Sequence, residues 1–476
     1  MNFKRLFKQD FIITFVILVL LGIGTLVIFS TTYNTQSSDL LTKQIILITI
    51  GLTIYFALIL VDINWFKVFS IQLILYIFII STLLYAVLFG STIAGTNRWI
   101  DLGFFAFQPS EYSKVLIIMF ISLIFSSENL PLKENLREIR NSFHKEHGVK
   151  HNIKDLILKV VNDREFRGFF YVLIYVIPIV VLTFIQPSLG NTIIIIGLTL
   201  FTLFFSTKFQ TVLLKIILLG FLTFFFIKNF IRFDTGTAGF SFSSDVDNYF
   251  VLISSIIIFV LFTFFIKVKW WFVLSIALTT TLFLFSSIFA WNQLLGNYQR
   301  ERVLTFVEGP EADPLGSGYQ IIQSKIAIGS GQLFGRGFLQ GTQSSLHILT
   351  QAHTDFAFAS MSEQFGFVGA LLLLSTYLIL LLRILKIAKE TKSDFGRNLA
   401  FGVVGLLLIH IFINIGMNLG KLPVTGIPLP LVSYGGSSVL MTLIVLGLIQ
   451  SVHASRRPVD MADSLMLTSL AGNKSE

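Results

Sequence analysis

The stretch "FIITFVILVLLGIGTLVIFS" (Phe11 to Ser30) follows a short basic start holding Lys4, Arg5 and Lys8 and runs without a charge. At 1.5 Å per residue, about 20 apolar residues make a helix that crosses a hydrocarbon core of about 30 Å. The run is too long for the apolar centre of a secretory signal and has no small-residue cleavage pattern, so it is read as a retained spanning helix. Comparable runs follow near 44–61, 71–90, 111–126, 169–187, 189–206, 212–230, 249–266, 270–290, 356–382, 399–418 and 436–453. The chain as a whole is 54% hydrophobic and only 13% charged, with a mean hydropathy of +0.80. A soluble domain carries roughly 25% charged residues. The fold class is therefore all-α, a polytopic transmembrane helical protein of about 12 spans. The absence of cysteine excludes disulfides, thiol catalysis and cysteine-bound zinc. No nucleic-acid partner is expected, and membrane lipids surround the chain.

Lysine and arginine set the orientation. They are dense at the N-terminus, in 127–168, at "KVK" (267–269), in 383–398 and at 456–457. Placing all of these in the cytoplasm satisfies the positive-inside rule and puts both termini there. Residues 458–476, polar and aperiodic, read as a disordered cytoplasmic tail. The segments 94–114, 291–355 and 414–438 then fall on the outer face. The second of them contains "YQRERVLTFVEGPEADPLGSGYQIIQSK" (Tyr298 to Lys325), a charged, turn-rich interruption whose apolar patterning reads as ordered. The proline- and glycine-rich 422–438 reads as non-helical backbone, tolerated at membrane depth only when buried in protein or lining a cavity.

The motifs "GTNRWIDLG", "QPSEYSK", "QPSLG", "YQRERVLTF", "DPLGSGYQIIQSKIAIGSG", "HTDFAFASMSEQFG" and "LPVTGIPLPLVSYGGSS" resemble those of the SEDS family, the RodA and FtsW peptidoglycan polymerases, and RodA most. The resemblance implies polymerisation of lipid II into glycan strands at the outer face of the bacterial cytoplasmic membrane, for rod-shape elongation. It also implies a class B penicillin-binding protein and the elongation machinery as partners. The alternatives are a lipid II flippase or an FtsW-type division polymerase. The family has about ten spans, so a hairpin at 212–266 reads as an insertion within a membrane domain covering 1–457.

Candidate residues follow from these motifs. Asp313 matches the essential acidic position of the family, where a carboxylate can accept the proton of an attacking sugar hydroxyl. It can equally hold a divalent cation, magnesium or manganese, against the pyrophosphate, or cap a helix begun by Pro314. Arg98 suits a bidentate grip on pyrophosphate, and Trp99 suits a sugar face or the membrane interface. Lys114, supported by Glu111 one turn away, is a substrate-phosphate candidate. Arg300, Arg302 and Lys325 either build a positive field or pair with Glu301, Glu308 and Glu311. Glu363 sits inside a predicted span, where a carboxylate needs a partner. Thr354 or Asp355 reads as the N-cap of that span. Ser433 lacks the surroundings of a nucleophile.

Overall fold

The computed structural model describes residues 3–33, 38–93, 96–103, 105–126, 164–186, 188–207, 231–234, 239–242, 297–311, 313–316, 318–346 and 348–455. The chain begins with α1 (Phe11–Thr32), α2 (Ser38–Leu60) and α3 (Phe69–Phe89). A small antiparallel sheet follows, β1 (Ser91–Ile93), β2 (Thr96–Asp101) and β3 (Ala106–Phe107), and leads into α4 (Pro109–Ile124). Next come α5 (Arg164–Ile185), α6 (Leu189–Ser206) and the ribbon of β4 (Ile231–Asp234) with β5 (Gly239–Phe242). The 291–355 region holds three helices, α7 (Asn297–Glu308), α8 (Tyr319–Ser330) and the one-turn α9 (Thr342–Ser345). Three long helices end the described chain: α10 (Ala357–Glu390), α11 (Asp394–Asn418) and α12 (Gly436–Ala454).

Among the described residues, 8 helices are long and apolar enough to cross a membrane, and the chain is a multi-pass helical membrane protein. Most of the expected cytoplasmic segment 127–168, the spans at 212–230, 249–266 and 270–290, and the tail lie outside the described residues. α4 is shorter, at 16 residues, and nearly every side chain on it is buried. It is the central post, packed by α3, α5, α6, α11 and α12. The outer helices instead turn large apolar groups such as Phe15, Ile74, Phe78 and Leu372 outward, as expected where lipid replaces water as the solvent.

One end of the bundle is tied by Asp10. Its carboxylate caps α1 through the amides of Ile12 and Ile13 and pairs with Arg383 near the end of α10 at 2.9 Å. The Gln450 side chain closes the same knot by accepting from the Asp10 amide and donating to its carbonyl, at 2.8 and 2.9 Å.

One predicted span carries a break, and one expectation about a helix end is corrected. The span predicted at 356–382 is a broken helix, since Gly366 inside α10 has φ +65° and ψ −164°. Neither Thr354 nor Asp355 caps it. Phe356 occupies the N-cap without a side-chain hydrogen bond, because Asp355 is engaged elsewhere.

Candidate active site at the loop end of the bundle

At the other end of the bundle, α7 and α8 fold over the start of α10 and the 422–435 segment. A local apolar core of Ile321, Ala327, Leu349, Phe356, Ala359 and Val424 holds this cap together. Residues 422–435 are extended and turn backbone, with Ile427, Leu429, Leu431 and Val432 buried. Their carbonyls find side-chain donors: Arg302 reaches Val424 at 2.8 Å, Asn414 reaches Ile427 at 2.7 Å, and Tyr377 reaches Pro430. This satisfies the requirement for non-helical backbone at such a position. Ser433 is buried and its hydroxyl accepts from the Leu429 amide at 2.9 Å, so it has a structural task.

Asp355 lies at the centre of this end. The side-chain amides of Asn414 and Asn418 donate to its carbonyl at 3.0 and 3.1 Å. Its carboxyl oxygen and an Arg302 nitrogen both lie within 4 Å of where a Cβ on Gly426 would stand, and Gly426 has φ +67°. Burial pushes the Asp355 carboxyl above its ordinary range, while the charges of Arg302 and Arg98 pull it down. The structure thus brings Arg98, carried by β2, and Arg302, carried by α7, to one carboxylate. Trp99, next to Arg98, is half-buried on β2, and its carbonyl accepts from the Ser91 hydroxyl at 3.2 Å.

Asp313 is exposed on the turn between α7 and α8. Its Oδ1 accepts from the Gly316 amide and its carbonyl from the Gly318 amide, both at 3.0 Å. A methyl group on Gly316 would collide with the Asp313 carboxylate. Asp313 therefore caps its own turn and not α8, whose N-cap is Gly318. Glu308 and Glu311 are exposed nearby in sequence, and Lys325 is exposed on α8.

Glu111 and Lys114 face the interior. Lys114 is 0% exposed, and its ammonium lies 2.7 Å from Glu111 Oε1 and 3.1 Å from His410 Nε2. Glu363 is also fully buried, and its partners are α9. Its two oxygens accept from the amides of Gln343 and Ser344 at 2.8 and 3.0 Å and from the hydroxyls of Thr342 and Ser344 at 3.2 and 2.8 Å. A carboxylate at a helix N-terminus meets unsatisfied amides there, which accounts for this burial.

Comparison with known proteins places this arrangement. The family model FTSW_RODA_SPOVE, described as cell cycle protein, matches residues 9–235 and 242–458. The chain belongs to this family. Relatives of this FtsW/RodA/SpoVE chain include the peptidoglycan glycosyltransferase MrdB of Escherichia coli, 34% identical over 80% of this chain and 78% of that protein. The peptidoglycan glycosyltransferase RodA of Treponema pallidum is 30% identical over 95% of this chain and 99% of that one. A chain from a peptidoglycan synthase complex, solved for its coordination of polymerization and crosslinking, superposes with a TM-score of 0.61 at 23% identity, covering 94% of this chain and 99% of its own. Thermus thermophilus RodA superposes at 0.53 with 20% identity, over 94% and 98%. These two likenesses bear on fold alone.

Among the described residues no three His, Asp or Glu side chains converge as an all-protein metal site would require. Magnesium is commonly held by one or two carboxylates together with substrate phosphates, a donor set to which Asp313, exposed on its turn, would contribute one carboxylate. The residues that sequence reading undervalued are Asp355 and Arg302, and on α11 His410, Asn414 and Asn418. A signal for the last three was present. They recur every fourth residue in "HIFINIGMN", a polar stripe along one face of an otherwise apolar helix.

Proposed function

We propose that this FtsW/RodA/SpoVE chain polymerises lipid II into glycan strands for rod-shape elongation, at the outer face of a bacterial cytoplasmic membrane with both termini inside. It is a peptidoglycan glycosyltransferase, as its relatives are named. The observation that carries the reading is the division of labour within residues 297–330. One segment presents Asp313 outward on a glycine-held turn and delivers Arg302 inward to the cluster with Arg98 and Asp355.

In this reading the sugar hydroxyl of one lipid-linked saccharide attacks the anomeric carbon of another. The bond from that carbon to the pyrophosphate oxygen breaks, and the hydroxyl proton passes to Asp313 as general base. Arg98 and Arg302 stabilise the charge on the departing pyrophosphate. Glu363 and the Glu111–Lys114 pair act by position, through α9 and the central post. A magnesium or manganese ion enters the proposal only as a counter-ion carried on the pyrophosphate, with Asp313 as its one protein candidate, and no step depends on it. The partner we propose is a class B penicillin-binding protein that crosslinks the product.

The test supplies lipid II to the purified protein, with and without that partner. Glycan polymer should form, and Asp313→Ala should cut its rate by about 10²- to 10⁴-fold with the melting temperature retained, since Asp313 is exposed. Lipid II flipping without polymer, or full polymerisation by Asp313→Ala, would overturn the assignment.

A further inference from the structure

The break in α10 is filled by residues 331–341. The amides of Phe367 and Val368, just past Gly366, donate to the carbonyls of Gln332 and Leu333 at 2.8 and 3.0 Å. In return the amides of Arg336 and Gly337 donate to the carbonyls of Glu363 and Gln364 at 2.9 and 3.1 Å. A Cβ on Gly331, Gly335 or Gly366 would stand 2.0, 2.1 or 2.3 Å from facing backbone. Three glycines therefore let the two main chains touch, and the segment is clipped to the helix as a strap. Its side chains point the other way: Leu333 is 61% exposed and Phe334 79%.

Two independent rulers place the strap relative to the bilayer. Between Gly366 and Arg383, the next charged residue of α10, the helix rises about 26 Å, close to the ~30 Å of a hydrocarbon core. Arg383 is held at the opposite end of α1 by Asp10. On α1 itself, the ring of Phe29, near the end of its apolar run, stacks on Phe338 of the strap at 6.3 Å. Both helices put the strap at the hydrocarbon boundary opposite the Asp10–Arg383 end, which is the outer one in the orientation proposed above. There its apolar tip continues the lipid-facing surface formed by Phe367, Val368, Leu371 and Leu372, and exposed Arg336 sits where a guanidinium can reach headgroups.

We propose that residues 331–341 form a strap that inserts Leu333 and Phe334 among the acyl chains of the outer leaflet, anchoring the 297–356 cap to the membrane surface. The occupant of this apolar face is lipid, because the face is continuous with the lipid-facing belt and lies at hydrocarbon height. The inference is independent of the reaction proposed above.

The absence of cysteine from the chain makes the test direct. Phe334→Cys in the full-length protein, carrying a nitroxide and reconstituted alone in lipid nanodiscs, reports collisions with oxygen, which concentrates in the bilayer, and with a water-soluble nickel chelate. Leu372→Cys on the lipid face of α10 and Leu315→Cys on the exposed 313–316 turn give the two reference environments; Leu315 is 90% exposed. The label at 334 should favour oxygen several-fold, as the label at 372 does. Preference for nickel, as at 315, would overturn the proposal by placing the strap in water. A label shielded from both would overturn it equally, by showing that protein covers the strap.

Discussion

Glu363→Gln tests how the 331–346 region is held. The carboxylate accepts four hydrogen bonds, two at each oxygen. An amide keeps one oxygen, which remains best placed on the more buried Ser344 amide and hydroxyl. It then sets an NH₂ against the Gln343 amide, which loses its acceptor, while the Thr342 hydroxyl has to turn from donor to acceptor. A net hydrogen bond to a charged group contributes about 1.5–3 kcal/mol, and water recovers part of this on the half-buried side. The expected loss is about 2–4 kcal/mol, confined to α9 and the strap joined to it. Since 1.4 kcal/mol corresponds to tenfold in an equilibrium, ~2 kcal/mol should accelerate amide exchange of Gln343 and Ser344 about 30-fold. Hydrogen exchange read by mass spectrometry on peptides covering 340–346 measures this, with peptides from α12 as the unaffected reference. Exchange within about twofold of the parent protein would show that these bonds do not hold α9, refuting the reasoning.

Other outcomes follow from the same contacts. Gly366→Ala forces a side chain into a backbone conformation nearly reserved for glycine and against the Gly335 amide. We expect a cost of about 3 kcal/mol or more and a lower melting temperature; an unchanged melt would mean the strap detaches freely. Asp355 gives a pH dependence. Its carboxyl is pushed up by burial, so the folded protein holds that proton more tightly than the unfolded chain. The associated stability is complete below the ordinary carboxyl range near 4 and declines as pH rises through the folded value. Thermal melts across that window should show this decline, and Asp355→Asn should remove its share; an identical slope in the variant contradicts the assignment. Arg302→Ala removes both a lowering charge and the donor to the Val424 carbonyl. It should extend the Asp355 decline to higher pH and cost about 1–3 kcal/mol at neutral pH, measured by the same melts.

Membrane class was decided by the sequence alone, because a 20-residue apolar run is a length measured against a bilayer and needs no knowledge of neighbours. The family was legible for a similar reason, since its motifs are contiguous strings such as "DPLGSGYQIIQSK" and "HTDFAFASMSEQFG". The residue carrying the proposed chemistry, Asp313, came from those strings, and its local turn adds geometry without changing its choice. What tertiary structure decided were pairings between distant parts of the chain. Glu363 looked like an ionisable group adrift in a span, and only the arrival of α9 from 20 residues away shows its donors. Asp355 looked like a helix cap, until β2, α7 and α11 brought it two arginines and two asparagines. The break in α10 was invisible because a glycine in an apolar run is tolerated by a helix; it becomes a break only where another backbone offers its amides and carbonyls in exchange. Hydropathy is additive along the chain, whereas the satisfaction of buried polar groups depends on which elements meet.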